Sequence, residues 1–275
     1  MKLLMEKWRR FLNEQGEEKV VVNKILNVPD YEQFVSQLGD AVNDPRVKAV
    51  LGSGLKDGNP GDEIVGVSGG GGPCTQFLPI QNEIDLSKSL GYAATKPALV
   101  PKILQGGPIS AADMGGSPII SASDRYIVDG HHRWSQVYMI NPDAAIETMD
   151  IKIADPEVAL RAMQAAIAAV QGVVPSQEVE KGMNVFNMSS EAMTQWMQKN
   201  LGDQFIKLFV ANSDAQDANG VIEQILFNIS LMRENNKPVT DTTRGYMPQT
   251  GKPAQINKEL AALKKGMINF KEPTE

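Results

Sequence analysis

The spacing of apolar residues changes along the chain, and each change marks an element. Behind Asp30, the positions Tyr31, Phe34, Val35 and Leu38 repeat at three and four residues and predict a helix over 31–38. A second short element is expected from Asn43-Asp44-Pro45-Arg46. Residues 52–73 lose all periodicity and fill with glycine, ending in Gly69-Gly70-Gly71-Gly72-Pro73, which reads as a flap or plain linker. No Lys-Ser or Lys-Thr follows these glycines, so they are not a P-loop. Phe77 to Ile84 is strand-like and carries an acid, Glu83, near its end. Residues 117–128 read as two short apolar strands broken by Ser121-Ala122-Ser123-Asp124. Apolar residues at helical spacing follow from Trp134 to Ile140 and are stopped by Asn141-Pro142.

Residues 144–153 predict one more strand, closing the small sheet with one exposed face. From Pro156 the pattern is helical: 157–170 ended by Gly172, then 190–200, 202–211, 219–234 and a basic-ended final helix over 256–265. Their Met, Phe, Ile and Leu positions are core positions. Between the last two helices, residues 235–249 are polar and broken by Pro238, Gly245 and Pro248. Long irregular loops in compact domains are often functional. The elements together predict an α+β fold: an amphipathic leader over 1–28, a helical and glycine-rich lead-in over 29–73, a sheet core over 74–155, and a helical domain over 156–275 with a polar loop at 235–255.

Composition narrows the function classes. With 275 residues, 42% of them hydrophobic, the chain is long enough to bury a core. Its single cysteine, Cys74, excludes a disulfide framework and fits a reducing cytoplasm. No apolar run approaches bilayer length and no signal-peptide pattern opens the chain, so a cytoplasmic protein without a membrane partner is expected. A net charge of −6 speaks against a wholly basic nucleic-acid surface, while leaving room for a local groove.

The candidate chemistry is concentrated in Asp129-Gly130-His131-His132-Arg133, which holds the only two histidines of the chain. The motif falls where the second strand of the hairpin ends and a helix begins. At such a junction the first helical amides lack intrahelical partners and carry the positive end of the dipole, and glycine allows close approach of a ligand. Arg133 and donors from His131 and His132 complete a cradle for phosphate. Two other readings stay open. The pair could share a metal, although adjacent side chains diverge; or Asp129 caps the helix while one histidine sits satisfied in the core.

Strand, polar turn, strand, Asp-Gly-His-His-Arg and helix together resemble the ParB/sulfiredoxin superfamily, whose turn binds nucleotide phosphates. The similarity spans residues 75–153, and the Asp-Gly-His-His-Arg form resembles its small-molecule kinases, such as ADP-dependent free serine kinases. The resemblance implies a small mixed-sheet core with Gly130, His131, His132 and Arg133 on the phosphates and Glu83 as catalytic base. It also implies ATP or ADP as donor, with Asp129 orienting a histidine or holding Mg²⁺. The acceptor-loop pattern of a serine kinase and the cysteine of a sulfiredoxin turn are both missing, and Gly106-Gly107-Pro108 is an unusual insertion. The expected activity is phosphoryl transfer to a hydroxyl, on a small metabolite or on a hydroxymethylated pyrimidine in DNA. In the polar loop, Lys237 and Arg244 would contact phosphate and Tyr246 would stack on a base, with Thr240 and Asp241 as further substrate contacts.

The first fourteen residues form an amphipathic helical pattern with Leu4, Trp8, Phe11 and Leu12 on one side. They read as a terminal helix, and they also resemble the capsid-targeting leaders of tailed phages, in which a prohead protease cuts after Leu-x-Glu; Leu12-Asn13-Glu14 fits. A phage-encoded protein would act in the host cytoplasm or travel in the virion. Two rival functions follow: a ParB-like CTP switch or nuclease on DNA, with a loose helix-turn-helix candidate over 176–211, and a virion-packaged interaction protein.

Overall fold

A computed structural model describes residues 26–39, 41, 44–47, 65–174, 182–243, 253–264 and 268–269. The candidate protease site at Leu12-Asn13-Glu14 lies outside them, as do Arg244 and Tyr246. The fold is α+β, as expected, around a five-stranded mixed sheet.

The chain enters through β1 (Leu26–Asn27) and helix α1 (Tyr31–Leu38), which buries Phe34 and Leu38. Strand β2 (Val67–Pro73) and β3 (Leu78–Pro79) lead to α2 (Leu86–Thr95) and the short α3 (Val100–Leu104). Next come β4 (Ile119–Ala122), β5 (Tyr126–Asp129), α4 (His131–Ile140), β6 (Ala145–Ile151) and α5 (Pro156–Gln171). Helices α6 (Ser190–Asn200), α7 (Asp203–Val210), α8 (Ala218–Asn235) and α9 (Pro253–Lys264) follow, and β7 (Ile268–Asn269) pairs in parallel with β1. No helix among the described residues is long and apolar enough to cross a membrane.

The sheet order is β2-β6-β4-β5-β3. The β4–β5 hairpin turns through Ser123 and Asp124, both left-handed at φ 51° and 50°, a pair of values that matches the right-handed twist of the flanking strands. On the other side of β5 lies β3, parallel to it, so both strands end at the same edge of the sheet.

Two expectations need correcting. The tetraglycine is not a loop: Gly69 to Gly72 lie inside β2, which pairs antiparallel with β6 from Val67↔Ile151 to Pro73↔Ala145. The sheet therefore starts before residue 74, and β6 is an inner strand between β2 and β4 rather than the closing edge. Glycine suits this stretch because β2 lies almost on top of its neighbours. A Cβ on Gly70 would stand 2.0 Å from Asp124 Oδ1, and one on Gly71, whose φ is +144°, 2.3 Å from the Ile146 carbonyl oxygen.

Alternating strand residues divide the core. Ile119, Ile127 and Ile146 face one cluster with Trp134 and Val137 of α4, Leu90 of α2 and Ile225 and Ile229 of α8. Ile120, Val128 and Ile151 face the other, with α5, Phe34 of α1 and Ile256, Leu260 and Leu263 of α9. The helices after Pro156 thus do not stand apart as a domain; they are shared between both faces of the sheet. Trp134 is fully buried, and its indole donates to the Cys74 carbonyl at 3.0 Å, which ties α4 to the turn after β2.

Gly71→Ala is expected to destabilise the protein by about 1–3 kcal/mol through overpacking against β6. Gly69→Ala, whose Cβ meets nothing within 4 Å, should be tolerated. Urea unfolding of the two variants beside wild type measures the difference, and equal losses would contradict the contact explanation.

Candidate functional site

Strand β5 ends at Asp129, and Gly130 turns the chain into α4 with φ +88°. The Arg133 side chain folds back over this glycine: a Cβ at Gly130 would lie 2.9 Å from Nη2 and 3.2 Å from Cζ. Arg133 Nη2 donates to Asp129 Oδ2 at 3.2 Å, and Nη1 donates to the Ser117 carbonyl at 2.5 Å. Asp129 is therefore not a helix cap; the N-cap is Gly130, with no side-chain cap bond. Both charges of the motif's acid and its guanidinium are turned toward each other, which differs from the open phosphate cradle expected of Arg133.

The histidines point the other way, toward the chain leaving β3. His131 is 2% exposed, and its Nε2 accepts the amide of Gln81 at 3.1 Å. Burial, followed by the charges of His132 and Arg133, pulls its pKa down to about 3 against a raising contribution from its hydrogen bond to the Ile127 backbone. It is a neutral acceptor, and so not the phosphate donor expected from the motif. His132 does the same one step further along: its Nε2 accepts the amide of Asp85 at 3.1 Å. Asp85 in turn caps α2 through Oδ1, which accepts the amides of Ser87 at 2.8 Å and Lys88 at 3.3 Å. Burial alone would raise the pKa of Asp85, but the Ser87 hydroxyl, these amides and nearby His132 hold it below the ordinary carboxylate value.

Residues 81–85 are consequently pinned at both ends by imidazoles, with Glu83 in the middle. Two further segments close on this stretch. On one side Asn184 donates to the Asn82 carbonyl at 3.1 Å and accepts the Ile84 amide at 3.3 Å, while Val185 N donates to the Ile84 carbonyl at 2.8 Å. On the other side the start of the polar loop runs parallel to the end of β3. Val239 N donates to the Pro79 carbonyl, Thr240 Oγ1 to the Ile80 carbonyl at 2.8 Å, and Asn82 N to the Thr242 carbonyl at 2.9 Å. Residues 239–242 are thus docked on the sheet edge.

Between these segments lies a cleft of about 530 Å³. Glu83, Lys237, Thr240 and Asp241, all expected site residues, line it together with Arg233 and Asn184. Asp129, Gly130, His131, His132 and Arg133 are not among its lining residues; the histidines reach it only through the backbone they hold. Arg233 was hidden in the sequence inside the helical pattern of 219–234, where its only signal is a charge between Met232 and Glu234. Asn184 lies in a stretch without periodicity and has no signal at all.

Asp129 does not match the expected Mg²⁺ role, since Oδ2 is bonded to Arg133, and among the described residues no three His, Cys, Asp or Glu side chains converge as a ligand set. Cys74 is fully buried, and burial raises its thiol pKa well above the ordinary value, which rules it out as a ready nucleophile. Comparison with family models, curated proteins and solved structures finds no match to the chain.

The neutral state of His131 has a consequence for acid stability. Between its ordinary pKa of 6.5 and the native value of about 3, the unfolded chain binds a proton at this position that the folded chain refuses. The stability it contributes is complete above pH 6.5 and declines as pH falls, by about 2 kcal/mol at pH 5 at 1.36 kcal/mol per pH unit. Urea unfolding at pH 7 and pH 5 should show this decline in wild type and a smaller one in His131→Gln, which does not titrate. Identical pH slopes would show that the imidazole is not held neutral.

Proposed function

We propose that the chain is a phosphotransferase, moving a phosphoryl group from ATP or ADP to a hydroxyl acceptor bound in the cleft at Glu83. The observation that supports this most is the convergence of Glu83 with Lys237, Thr240 and Asp241. Glu83 lies over 150 positions before the other three in sequence, yet all four line one cleft whose carboxylate-bearing wall is clamped by His131 and His132. Phosphoryl transfer asks a protein for positioning and charge neutralisation more than for covalent chemistry. A carboxylate carried on a clamped segment and a lysine in the same cleft supply both.

In the reaction, the acceptor oxygen attacks the terminal phosphorus and its proton passes to the Glu83 carboxylate. The bond from phosphorus to the bridging oxygen breaks, and the nucleotide leaves one phosphate shorter, taking the electron pair. Lys237 offsets charge on the transferring group. Asp241 offers a carboxylate to orient the acceptor, whereas the Thr240 hydroxyl, bonded to the Ile80 carbonyl and the Thr242 amide, holds the loop on the cleft wall. His131 and His132 are positioning residues in this scheme. Mg²⁺ travelling with the nucleotide would neutralise phosphate charge; Asp129, bonded to Arg133, does not fit as its holder. A volume of about 530 Å³ suits a small hydroxylated metabolite. A nucleotide presented by DNA is the other acceptor that fits the expectation.

The DNA-switch alternative draws no support from the helix pair in its candidate region. Across α6 and α7 the exposed Lys199 and Lys207 are balanced by exposed Glu191 and Asp203, so no basic face forms.

Incubation with γ-labelled ATP, Mg²⁺ and either a metabolite pool or hydroxymethylated DNA tests the proposal. Label is expected on an acceptor with wild type and to fall by roughly 10²–10⁴-fold with Glu83→Gln. Wild-type rates in Glu83→Gln would remove the base from the scheme. Nucleotide hydrolysis of CTP without any labelled acceptor would point to the switch.

A further inference from the structure

The expected phosphate turn has its cation paired with a carboxylate, and the cleft contains two that, among the described residues, are not. Arg133 is paired with Asp129 and bonded to the Ser117 carbonyl, and its guanidinium covers Gly130. A nucleotide polyphosphate arriving there would have to break an ion pair before gaining one. In the cleft, Arg233 and Lys237 stand four residues apart at the end of α8, and among the described residues neither forms a salt bridge.

We propose that Arg233 and Lys237 form a polyphosphate subsite in this cleft, in place of the Gly130 to Arg133 turn. The inference rests on the cleft being where phosphoryl transfer occurs.

Arg233 is fixed like a bracket. Its Nε donates to the Val185 carbonyl and its Nη2 to the Met188 carbonyl, each at 2.6 Å, which locks the guanidinium plane on the 185–188 turn. Nη1 makes no hydrogen bond among the described residues, and the residue lines the cleft. A guanidinium held in this way loses little freedom when it binds an anion, and its planar fork suits phosphate oxygens. Partial burial lowers its pKa from the ordinary arginine value, yet arginine stays charged in proteins.

Lys237 is exposed, but its position is set by the residue before it. Asn236, 1% exposed, donates to the Thr75 carbonyl at 3.0 Å and the Phe77 carbonyl at 2.7 Å, and accepts the Tyr138 hydroxyl at 2.8 Å. Three bonds therefore anchor the end of α8 to the turn after β2 and to α4, just ahead of Lys237. Glu83 and Asp241 also line the cleft, and their negative charge disfavours phosphate beside them. A polyphosphate is drawn to Arg233 and Lys237, which leaves the Glu83 side for the neutral hydroxyl acceptor.

Calorimetric titration of the full chain with inorganic pyrophosphate, followed by displacement with ATP, tests the subsite. Wild type is expected to bind pyrophosphate saturably and to release it to ATP. Lys237→Ala should weaken both ligands roughly tenfold, the equivalent of about 1.4 kcal/mol. Arg233→Lys keeps the charge and removes the fork; a thermal melt run first separates loss of folding from loss of binding, and a folded variant should also bind more weakly. Unchanged pyrophosphate and ATP affinity in Lys237→Ala overturns the proposal, as does binding abolished by Arg133→Ala but intact in Lys237→Ala. A chain that binds pyrophosphate through Lys237 but labels no acceptor keeps the subsite and loses the phosphotransferase reading.

Discussion

Two imidazoles, each accepting a backbone amide, hold this structure together where it matters most. A buried amide without an acceptor costs about 1–3 kcal/mol, so the chain leaving β3 needs partners at Gln81 and Asp85 once it passes beneath α4. His131 and His132 supply them from consecutive positions of one helix turn. A lysine or arginine has no acceptor to offer at all, and a protonated histidine has none left. The same two bonds register α4 against α2, because the Asp85 whose amide is held by His132 is also the α2 cap. Edge, helix and cleft wall are thereby fixed relative to one another.

Much of this was legible locally. Strand, turn, strand and helix over 119–140 can be read from period and punctuation, because each element there is set by its own residues and Gly130 occupies a backbone conformation that favours glycine. The candidate acid and three loop residues were found for a similar reason: charged or hydroxylated side chains interrupt otherwise apolar or featureless stretches. The direction of the histidines was not legible. Their partners are backbone amides, which leave no signature in the identity of Gln81 or Asp85. Nor could the tetraglycine be recognised as a strand, since its reason is the closeness of β6, some 75 residues later in the chain. Arg233 was concealed by the strength of the helical pattern around it.

The cleft is built mainly from main-chain hydrogen bonds among three stretches that sequence separates widely: 80–86, 182–188 and 237–242. Among the side chains with chemical potential on this frame, Asn184, Arg233 and Thr240 also help to form it. The motif that stands out in the sequence is thus a supporting element of the cleft. Its acid and guanidinium close on each other, its imidazoles hold the wall, and the groups facing the cleft come from elsewhere.

The glycine strand has a different consequence for how the molecule comes apart. Glycine loses more backbone freedom on folding than any other residue and has no side chain to bury in return, so across Gly69 to Gly72 the β2–β6 ladder is almost all that favours the ordered state. Local opening draws on the segments with the fewest apolar contacts. In amide hydrogen exchange, β2 should accordingly be the strand whose protection is lost before that of the rest of the sheet. Its departure uncovers the edge of β6 while leaving β3, β5 and the histidine clamp at the far side undisturbed, so the first strand of the five-stranded sheet can fray without loosening the cleft.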